Sequence, residues 1–218
     1  MKKISILLML AAILTACSGT KITGAWKNPK QPPKAYSSVF VASLSSNTIV
    51  RSTVENDIAS ELQKQGDTAY KSMDEFPPGI NKDSVTKDDI LGSMRNKKAG
   101  AILTVSLIRK ETESRYVPGS GFAYEPFPRY PYYSDFSGYY SYRHPQVFSP
   151  GYYEQDKTYY IETNLYDSAT EQLVWSAQSR TYNPTDIKSF SKEFSKIIVA
   201  KLEEDGMLKA SVVLSGTK

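Results

Sequence analysis

The chain has 218 residues, with 27 lysine and arginine residues against 23 aspartate and glutamate residues, and one histidine and one cysteine. The 40% apolar content and the mean hydropathy of -0.43 indicate one soluble domain of ordinary core size, and they exclude collagen-like and polytopic membrane classes. A single cysteine excludes an internal disulfide, and a single histidine leaves almost nothing for a multi-histidine metal site. We therefore expect no metal and no metal-dependent chemistry.

The N-terminus has the three-part layout of a secretory signal peptide. Lys2 and Lys3 supply the positive charge, the apolar run Ile4–Leu14 follows, and small residues precede Cys17. The apolar run has eleven residues, whereas a helix that spans a bilayer needs about 20. We therefore predict that residues 1–16 are cleaved.

The residues Leu14-Thr15-Ala16-Cys17 resemble the lipobox of bacterial lipoproteins. The resemblance implies a thioether-linked diacylglyceryl group on the sulfur of Cys17, a further acyl chain on its amine, and no other cofactor. Two or three acyl chains hold a protein on a membrane essentially permanently. Ser18, in place of the aspartate typical of inner-membrane retention, favours the outer membrane, with the domain facing the periplasm. The alternative is an ordinary signal peptide that ends by chance at a cysteine.

The mature chain is predicted to hold one domain on a tether. Residues 17–37 combine the lipidated cysteine with prolines, glycines and lysines, which indicates a semi-extended tether. Residues 38–208 form the domain, which contains an insertion at 117–153, and residues 209–218 are a tail. Loss of the two signal lysines lowers the net charge from +4 to +2, so we expect no nucleic-acid partner.

Apolar periodicity and capping residues predict the elements of this domain in chain order. Short apolar or alternating runs predict strands, and apolar residues at three- and four-residue spacing after a polar cap predict helices. The predicted strands are Val39–Leu44, Thr68–Ser72, Ala101–Tyr116, Lys157–Tyr166 and Leu173–Tyr182. The predicted helices run from about Thr48 to Gln65 with Asn47 or Thr48 as the cap, from Thr86 to about Gly100, and from a cap at Thr185 or Asp186 to Gly206.

The element order is β-α-β-α-β-(insertion)-β-β-α. It predicts an α/β sandwich of the α+β class, in which about three helices pack against a mostly antiparallel sheet of about four to five strands.

This pattern resembles the small domains of unknown function carried by many bacterial outer-membrane lipoproteins. The resembling residues are Thr163–Asp167, Ala169–Thr170, Leu173–Ser176 and Gly100–Leu103. The resemblance covers about residues 36–207 and implies fold, location and a role in interaction, with no catalytic residues to transfer.

The insertion at 117–153 is rich in aromatic residues: nine of its 37 residues are tyrosine and four are phenylalanine, with six prolines and four glycines. A long stretch without regular pattern is usually a functional loop or a disordered segment. Tyrosine-dense loops suit recognition of a protein or a glycan, so the insertion is the candidate binding element; the alternative is a segment that only folds over the sheet. The candidate binding residues are Tyr124, Tyr130, Tyr132, Tyr133, Tyr139, Tyr140 and Tyr142.

Candidate catalytic groups each have a simpler interpretation. Ser189 and Lys192 have the S-x-x-K spacing of penicillin-interacting enzymes, but they fall inside a predicted amphipathic helix. His144 is a lone loop histidine, and Glu111 and Glu113 share one strand face but indicate a solvated strand end. The remaining acidic groups are Asp83, Asp88 and Asp89, of which the last two suit helix capping, and Glu203, Glu204 and Asp205 at a helix end.

The sequence therefore predicts a lipid-anchored outer-membrane lipoprotein without enzymatic activity, which binds an envelope protein or glycan. Two alternatives remain at this point. One is a cell-wall hydrolase that uses carboxylates and stacks sugars on the tyrosines, and the other is a carbohydrate-binding or structural module.

Overall fold

The computed structural model describes residues 19–32, 34–77, 86–117, 135–148 and 151–209. The signal segment, Cys17 and the tail beyond residue 209 lie outside these residues. The strands are β1 (Thr20–Lys27), β2 (Ser38–Leu44), β3 (Thr68–Lys71), β4 (Ala101–Val117), β5 (Tyr152–Asp167) and β6 (Leu173–Tyr182). The helices are α1 (Thr48–Lys64), α2 (Ser72–Glu75), α3 (Lys87–Asn96), α4 (Phe136–Phe148) and α5 (Ile187–Glu204).

The six strands form one open sheet in the order β1-β6-β5-β4-β2-β3. β2 pairs in parallel with both β3 and β4, whereas β6 pairs antiparallel with both β1 and β5. The sheet is therefore mixed, and the prediction of a mostly antiparallel sheet of four to five strands with about three helices was wrong. The physical reason is that strands joined through a crossover helix, as β2 and β3 are through α1, pair in parallel.

Strand β1 occupies residues that the sequence analysis placed in the tether. It pairs with β6 from Thr20↔Thr181 to Lys27↔Trp175, with an irregularity between Ile22 and Gly24. Thr20 is buried, but most of the strand is exposed, so the apolar pattern that marks a core strand is missing from its sequence. The sheet therefore begins only two residues after Ser18.

The parallel half of the sheet is buried on both faces. Val39 and Val41 of β2 belong to a cluster that includes Ile58 of α1, whereas Phe40 and Ala42 pack in a second cluster with Leu91 and Met94 of α3. This explains why β2 reads as an almost continuous apolar run. In the antiparallel half, Ile161, Leu165, Trp175 and Ala177 face the first cluster, together with Phe194 and Ile198 of α5.

The predicted helix boundaries are confirmed at their caps. Asn47 Oδ1 accepts hydrogen bonds from the backbone N–H groups of Ile49 and Val50, at 3.0 and 3.1 Å. Thr86 and Asp89 form a reciprocal capping box on α3. Asp186 caps α5 through bonds from the N–H groups of Lys188 and Ser189.

The chain divides into two compact units. The first comprises the described residues up to Lys110 together with those from Thr158 onward, and the second comprises the described residues of Glu111–Lys157. The second unit holds the exposed ends of β4 and β5 and the helix α4. The sequence analysis found no regular pattern in residues 117–153 and expected a functional loop or a disordered segment there, and α4 corrects that expectation.

A buried carboxylate joins β2, α1 and α2. Glu55 has a fully buried side chain that accepts hydrogen bonds from Ser43 N, Arg51 Nε, Ser72 Oγ and Met73 N, at 2.6 to 3.2 Å. Arg51 also donates to Ser72 Oγ at 2.8 Å. Because buried charges are costly unless they are paired and hydrogen-bonded, this network fixes the end of β2 against the first turns of α1.

A second carboxylate holds the β5–β6 turn. Asp167 Oδ1 accepts from the N–H groups of Ala169 and Thr170, and Oδ2 accepts from Lys34 Nζ at 2.6 Å and Tyr36 Oη at 2.9 Å. Burial alone would raise the pKa of Asp167, but these hydrogen bonds outweigh it and lower the pKa to about 2. Burial and the neighbouring Asp167 raise the pKa of Tyr36.

We predict that Glu55→Ala destabilises the protein by about 3–5 kcal/mol, because it leaves Arg51 and the buried Ser43 N–H without their acceptor. Urea unfolding followed by circular dichroism measures the loss. The control is Glu61→Ala, which removes a pair with the exposed Lys64 and costs less than about 1 kcal/mol. Equal losses for the two variants contradict the structural role of Glu55.

We predict a specific acid sensitivity from Asp167. Because its pKa is lower in the folded than in the unfolded chain, its stabilisation is complete above about pH 5 and is lost as the pH falls to about 2. The size is about 2 kcal/mol. Free energies of unfolding at pH 6 and pH 2.5 should therefore differ less in Asp167→Asn than in the wild-type chain. A variant of the exposed Asp74, Asp74→Asn, should keep the wild-type dependence.

Candidate functional site

An apolar cavity of about 450 Å³ lies in the first unit, between the N-terminal turns of α1 and α5 and the sheet. This volume is in the range of small-molecule sites, about 300–1,000 Å³. Its walls come from α1, β4, β5 and α5 and are mainly aliphatic and aromatic, among them Val50, Val54, Val105, Ile161, Phe190 and Phe194.

Three of the polar residues that line the cavity are engaged in local structure. Asn47 and Asp186 both line it, but their side-chain oxygens accept the first N–H groups of α1 and α5. The Ser45 hydroxyl accepts the N–H of Asn47 at 3.2 Å. The cavity therefore suits an apolar ligand better than a polar one.

Exposed leucines form part of the cavity wall. Leu44 at the end of β2 is 58% exposed and Leu107 of β4 is 54% exposed, and both line the cavity. Together with the buried wall they extend an apolar surface to solvent, which is a feature of binding surfaces. Sequence analysis missed this site. The feature that could have indicated it is a leucine that follows the buried part of a strand, Leu44 in β2 and Leu107 in β4.

The second unit carries a ladder of rings on α4. Phe136, Tyr140, His144 and Phe148 recur every four residues, and successive ring centroids lie 5.6, 4.7 and 4.5 Å apart. All four side chains are exposed. Residues at i and i+4 share one helix face, so the helix presents a continuous aromatic stripe. We call this set of four residues the aromatic ladder.

The ladder contains part of the predicted binding set. Tyr140 belongs to it, and Tyr139 is exposed on the same helix, 42% accessible. Tyr142 lies in α4, but its side chain is outside the described part, and Tyr124, Tyr130, Tyr132 and Tyr133 lie outside the described residues altogether. Sequence analysis missed Phe136, His144 and Phe148 as partners of Tyr140, although their four-residue spacing was visible.

The predicted S-x-x-K pair has a structural role. Ser189 lies in the first turn of α5, and its hydroxyl donates to the capping Asp186 Oδ2 at 2.9 Å. The same hydrogen bonds, first from the Ser189 N–H and then from its hydroxyl, lower the pKa of Asp186. The Ser189 hydroxyl is thus engaged in the helix cap.

The carboxylates that the structure brings together in the second unit are Glu154 and Asp156. Both accept from Arg115, at 2.6 and 3.4 Å, so they form an ion-pair cluster. Glu111 and Glu113 lie two residues apart on β4, Asp88 and Asp89 lie in the first turn of α3, and Asp83 is outside the described residues. Among the described residues, no group of three histidine, cysteine, aspartate or glutamate side chains is arranged to hold a metal ion.

The acidic end of α5 is partly structural. Asp205 accepts from Trp175 Nε1 at 2.8 Å and pairs with Lys201. Burial opposes these bonds, which together lower the pKa of Asp205. Nearby, burial and then the Glu203 carboxyl raise the pKa of Asp67. One oxygen of Asp67 and one of Glu203 are buried without a hydrogen-bond partner.

None of the helices in the described part of the chain is both long and apolar enough to cross a membrane.

Comparisons with known proteins yield structural neighbours alone. No protein-family model matches the chain, and no curated protein matches it. Among solved structures, the chain is similar to PelC from Paraburkholderia phytofirmans, described as a dodecamer, with 14% identity, 87% of this chain and 99% of that chain covered, and a TM-score of 0.43. It is also similar to the lipoprotein GNA1162 from Neisseria meningitidis, with 13% identity, 77% and 99% coverage, and a TM-score of 0.38. We base no functional argument on similarity at this level; one of the two neighbours is itself a lipoprotein.

Proposed function

We propose that this protein is a lipid-anchored outer-membrane lipoprotein without enzymatic activity, which binds another envelope component through the aromatic ladder of α4. Cys17, within the lipobox-like Leu14–Cys17, is the proposed site of lipid attachment, and Ser18 favours the outer membrane. The domain faces the periplasm in this proposal. The single observation that carries the binding role is the exposed ladder.

The ladder suits recognition because of how its rings are arranged. Phe136 is 78% and Phe148 is 69% exposed, although isolated large apolar side chains usually gain by burial. Neighbouring rings contact and restrain one another, so little side-chain freedom is lost when a partner covers them. Exposed aromatic rings bind the faces of sugars and also serve as anchor residues in protein interfaces. A glycan and a protein are therefore the two partner classes to test.

The described carboxylates support a binding role over hydrolysis. A glycosidase needs two carboxyl groups that face a sugar with different proton affinities. Glu154 and Asp156 instead share the Arg115 guanidinium, and Ser189 serves the α5 cap. Their ion pairs and helix-cap contacts within the chain support the binding role in this proposal.

The anchor is tested by metabolic labelling with radioactive palmitate. We expect label on the wild-type polypeptide and none on Cys17→Ala, which should leave the membrane fraction, because its residual apolar anchor of about eleven residues is short for a stable bilayer span. Ser18→Ala serves as the control and should keep both label and fractionation. Unlabelled wild-type protein, or membrane-bound Cys17→Ala, contradicts the anchor.

The binding site is tested by removing the two most exposed rings of the ladder together, Phe136→Ala with Phe148→Ala. Wild-type protein is incubated with purified peptidoglycan and sedimented, and in parallel it is crosslinked in intact cells so that captured proteins can be identified. Since hot-spot aromatic side chains each contribute about 2 kcal/mol or more, we expect the double variant to lose binding by about a hundredfold or more.

The matched control is Tyr152→Ala, which removes an exposed aromatic ring of β5 in the same unit. It should bind as the wild-type chain does. Sedimentation with peptidoglycan identifies a glycan partner, and a specific crosslink identifies a protein partner. Equal binding by all three proteins contradicts the role of the ladder, and release of soluble fragments from peptidoglycan contradicts the absence of enzymatic activity.

A further inference from the structure

The apolar cavity between α1 and α5 has no occupant in the proposed function. Its wall combines buried core residues, such as Val105 and Ile161, with the exposed Leu44 and Leu107. Apolar cavities of this size bind apolar ligands in preference to water. An occupant must therefore be largely hydrocarbon.

The start of the described chain lies beside this cavity. The carbonyl of Gly19 accepts the N–H of Tyr182 at 3.0 Å, and Pro184, two residues further, lines the cavity. The N–H of Thr20 donates to Glu193 Oε1 at 3.1 Å, and Glu193 lies on α5 between Phe190 and Phe194, which both line the cavity. The first strand is thus held against α5, which borders the cavity, and against β6, whose connection to α5 contributes Pro184 to the cavity wall.

Chain length then limits where Cys17 can be. One residue, Ser18, separates it from Gly19, so the Cα atoms of Cys17 and Gly19 are at most about 7 Å apart. An acyl chain spans half of the hydrocarbon core of a bilayer, about 15 Å. A fatty chain on Cys17 therefore begins roughly one chain length from Pro184 at the edge of the cavity.

The chemistry of the cavity suits an acyl chain. The side-chain oxygens of Asn47, Asp186 and Ser45 already accept backbone N–H groups, and most of the remaining wall is aliphatic or aromatic. A hydrocarbon chain needs no polar partner, and burial of its methylenes supplies the affinity.

We propose that one fatty acyl chain of the lipidated Cys17 folds back into this cavity of the same polypeptide. The inference rests on the proposed lipidation of Cys17 and adds a binding site for part of that lipid. With one chain held in the domain, the remaining chains make the contact with the membrane. Because anchoring strength rises with the number of inserted chains, occupancy of the cavity weakens the anchor.

The test uses the acylated full-length protein from cells fed with palmitate that carries a photoreactive diazirine. The purified protein is diluted into detergent micelles, its acylation is verified by intact mass, and it is irradiated and digested. We expect crosslinks within the same polypeptide to peptides that line the cavity, those containing Val50, Leu107 or Phe190.

Two matched pairs of variants test whether the acyl chain lies in the cavity. Leu107→Trp narrows the cavity mouth, whereas Ile108→Trp alters the adjacent residue of β4, which is 48% exposed and does not line the cavity. Val50→Trp and Ile49→Trp form the same comparison on α1. We expect the cavity-lining variants to lower the yield of cavity crosslinks about tenfold, because each excludes about two methylenes of the acyl chain from the cavity. The control variants should leave the yield unchanged.

The outcomes separate this inference from the proposed function. Acylated protein whose crosslinks fall outside the cavity, or on other polypeptides, overturns the inference and leaves the anchor standing. Acylated protein with equal cavity crosslinks in all four variants also overturns it. A protein without acylation overturns the anchor and the inference together.

Discussion

The arrangement of β2, α1 and α2 depends on the hydrogen bonds that the buried Glu55 side chain accepts. This side chain accepts two backbone N–H groups, from Ser43 and Met73, and two side chains that themselves are hydrogen-bonded to each other, Arg51 and Ser72. A buried carboxyl group is costly unless it is hydrogen-bonded, so the network restrains the three elements relative to one another. That restraint sets the end of β2 against the start of α1, where Leu44, Asn47 and Val50 border the cavity.

The two candidate sites differ in how they expose apolar groups. The cavity is concave, and its hydrocarbon wall is continuous with the main core through Val54, Ile161 and Phe194. The aromatic ladder is a row of side chains on one helix, whose rings contact one another. The concave wall suits flexible hydrocarbon, whereas the row of tilted rings suits a partner that packs against aromatic side chains, so the two surfaces differ in the partners that we propose for them.

Much of the fold was accessible from the sequence. The strand β2, the helices α1, α3 and α5 and their caps follow from apolar periodicity and from Asn47, Thr86 and Asp186, because these signals are local. The direction of strand pairing was misjudged, although the alternation of strands and helices favours parallel neighbours. β1 could not be found, since an exposed edge strand is specified by its pairing with β6 and carries little pattern of its own.

The candidate sites were only partly accessible for a related reason. Composition singled out the aromatic insertion, but the seven predicted tyrosines included only one member of the ladder, Tyr140. The binding residues were chosen because they are tyrosines, whereas the ladder is defined by aromatic residues at four-residue spacing on a helix. Pro145 falls within that spacing, and proline usually argues against a helix. The cavity is formed by residues from β2, α1, β4, β5 and α5, so no local signal could define it.

The pairing of β1 with β6 also sets an order of assembly. The hydroxyls of Thr20 and Thr181 bond across 161 residues of chain. A chain that is synthesised from its N-terminus at about 5–20 residues per second leaves β1 without its neighbour for roughly ten to thirty seconds. Closure of this edge of the sheet therefore waits for β6, the last of the described strands to be synthesised.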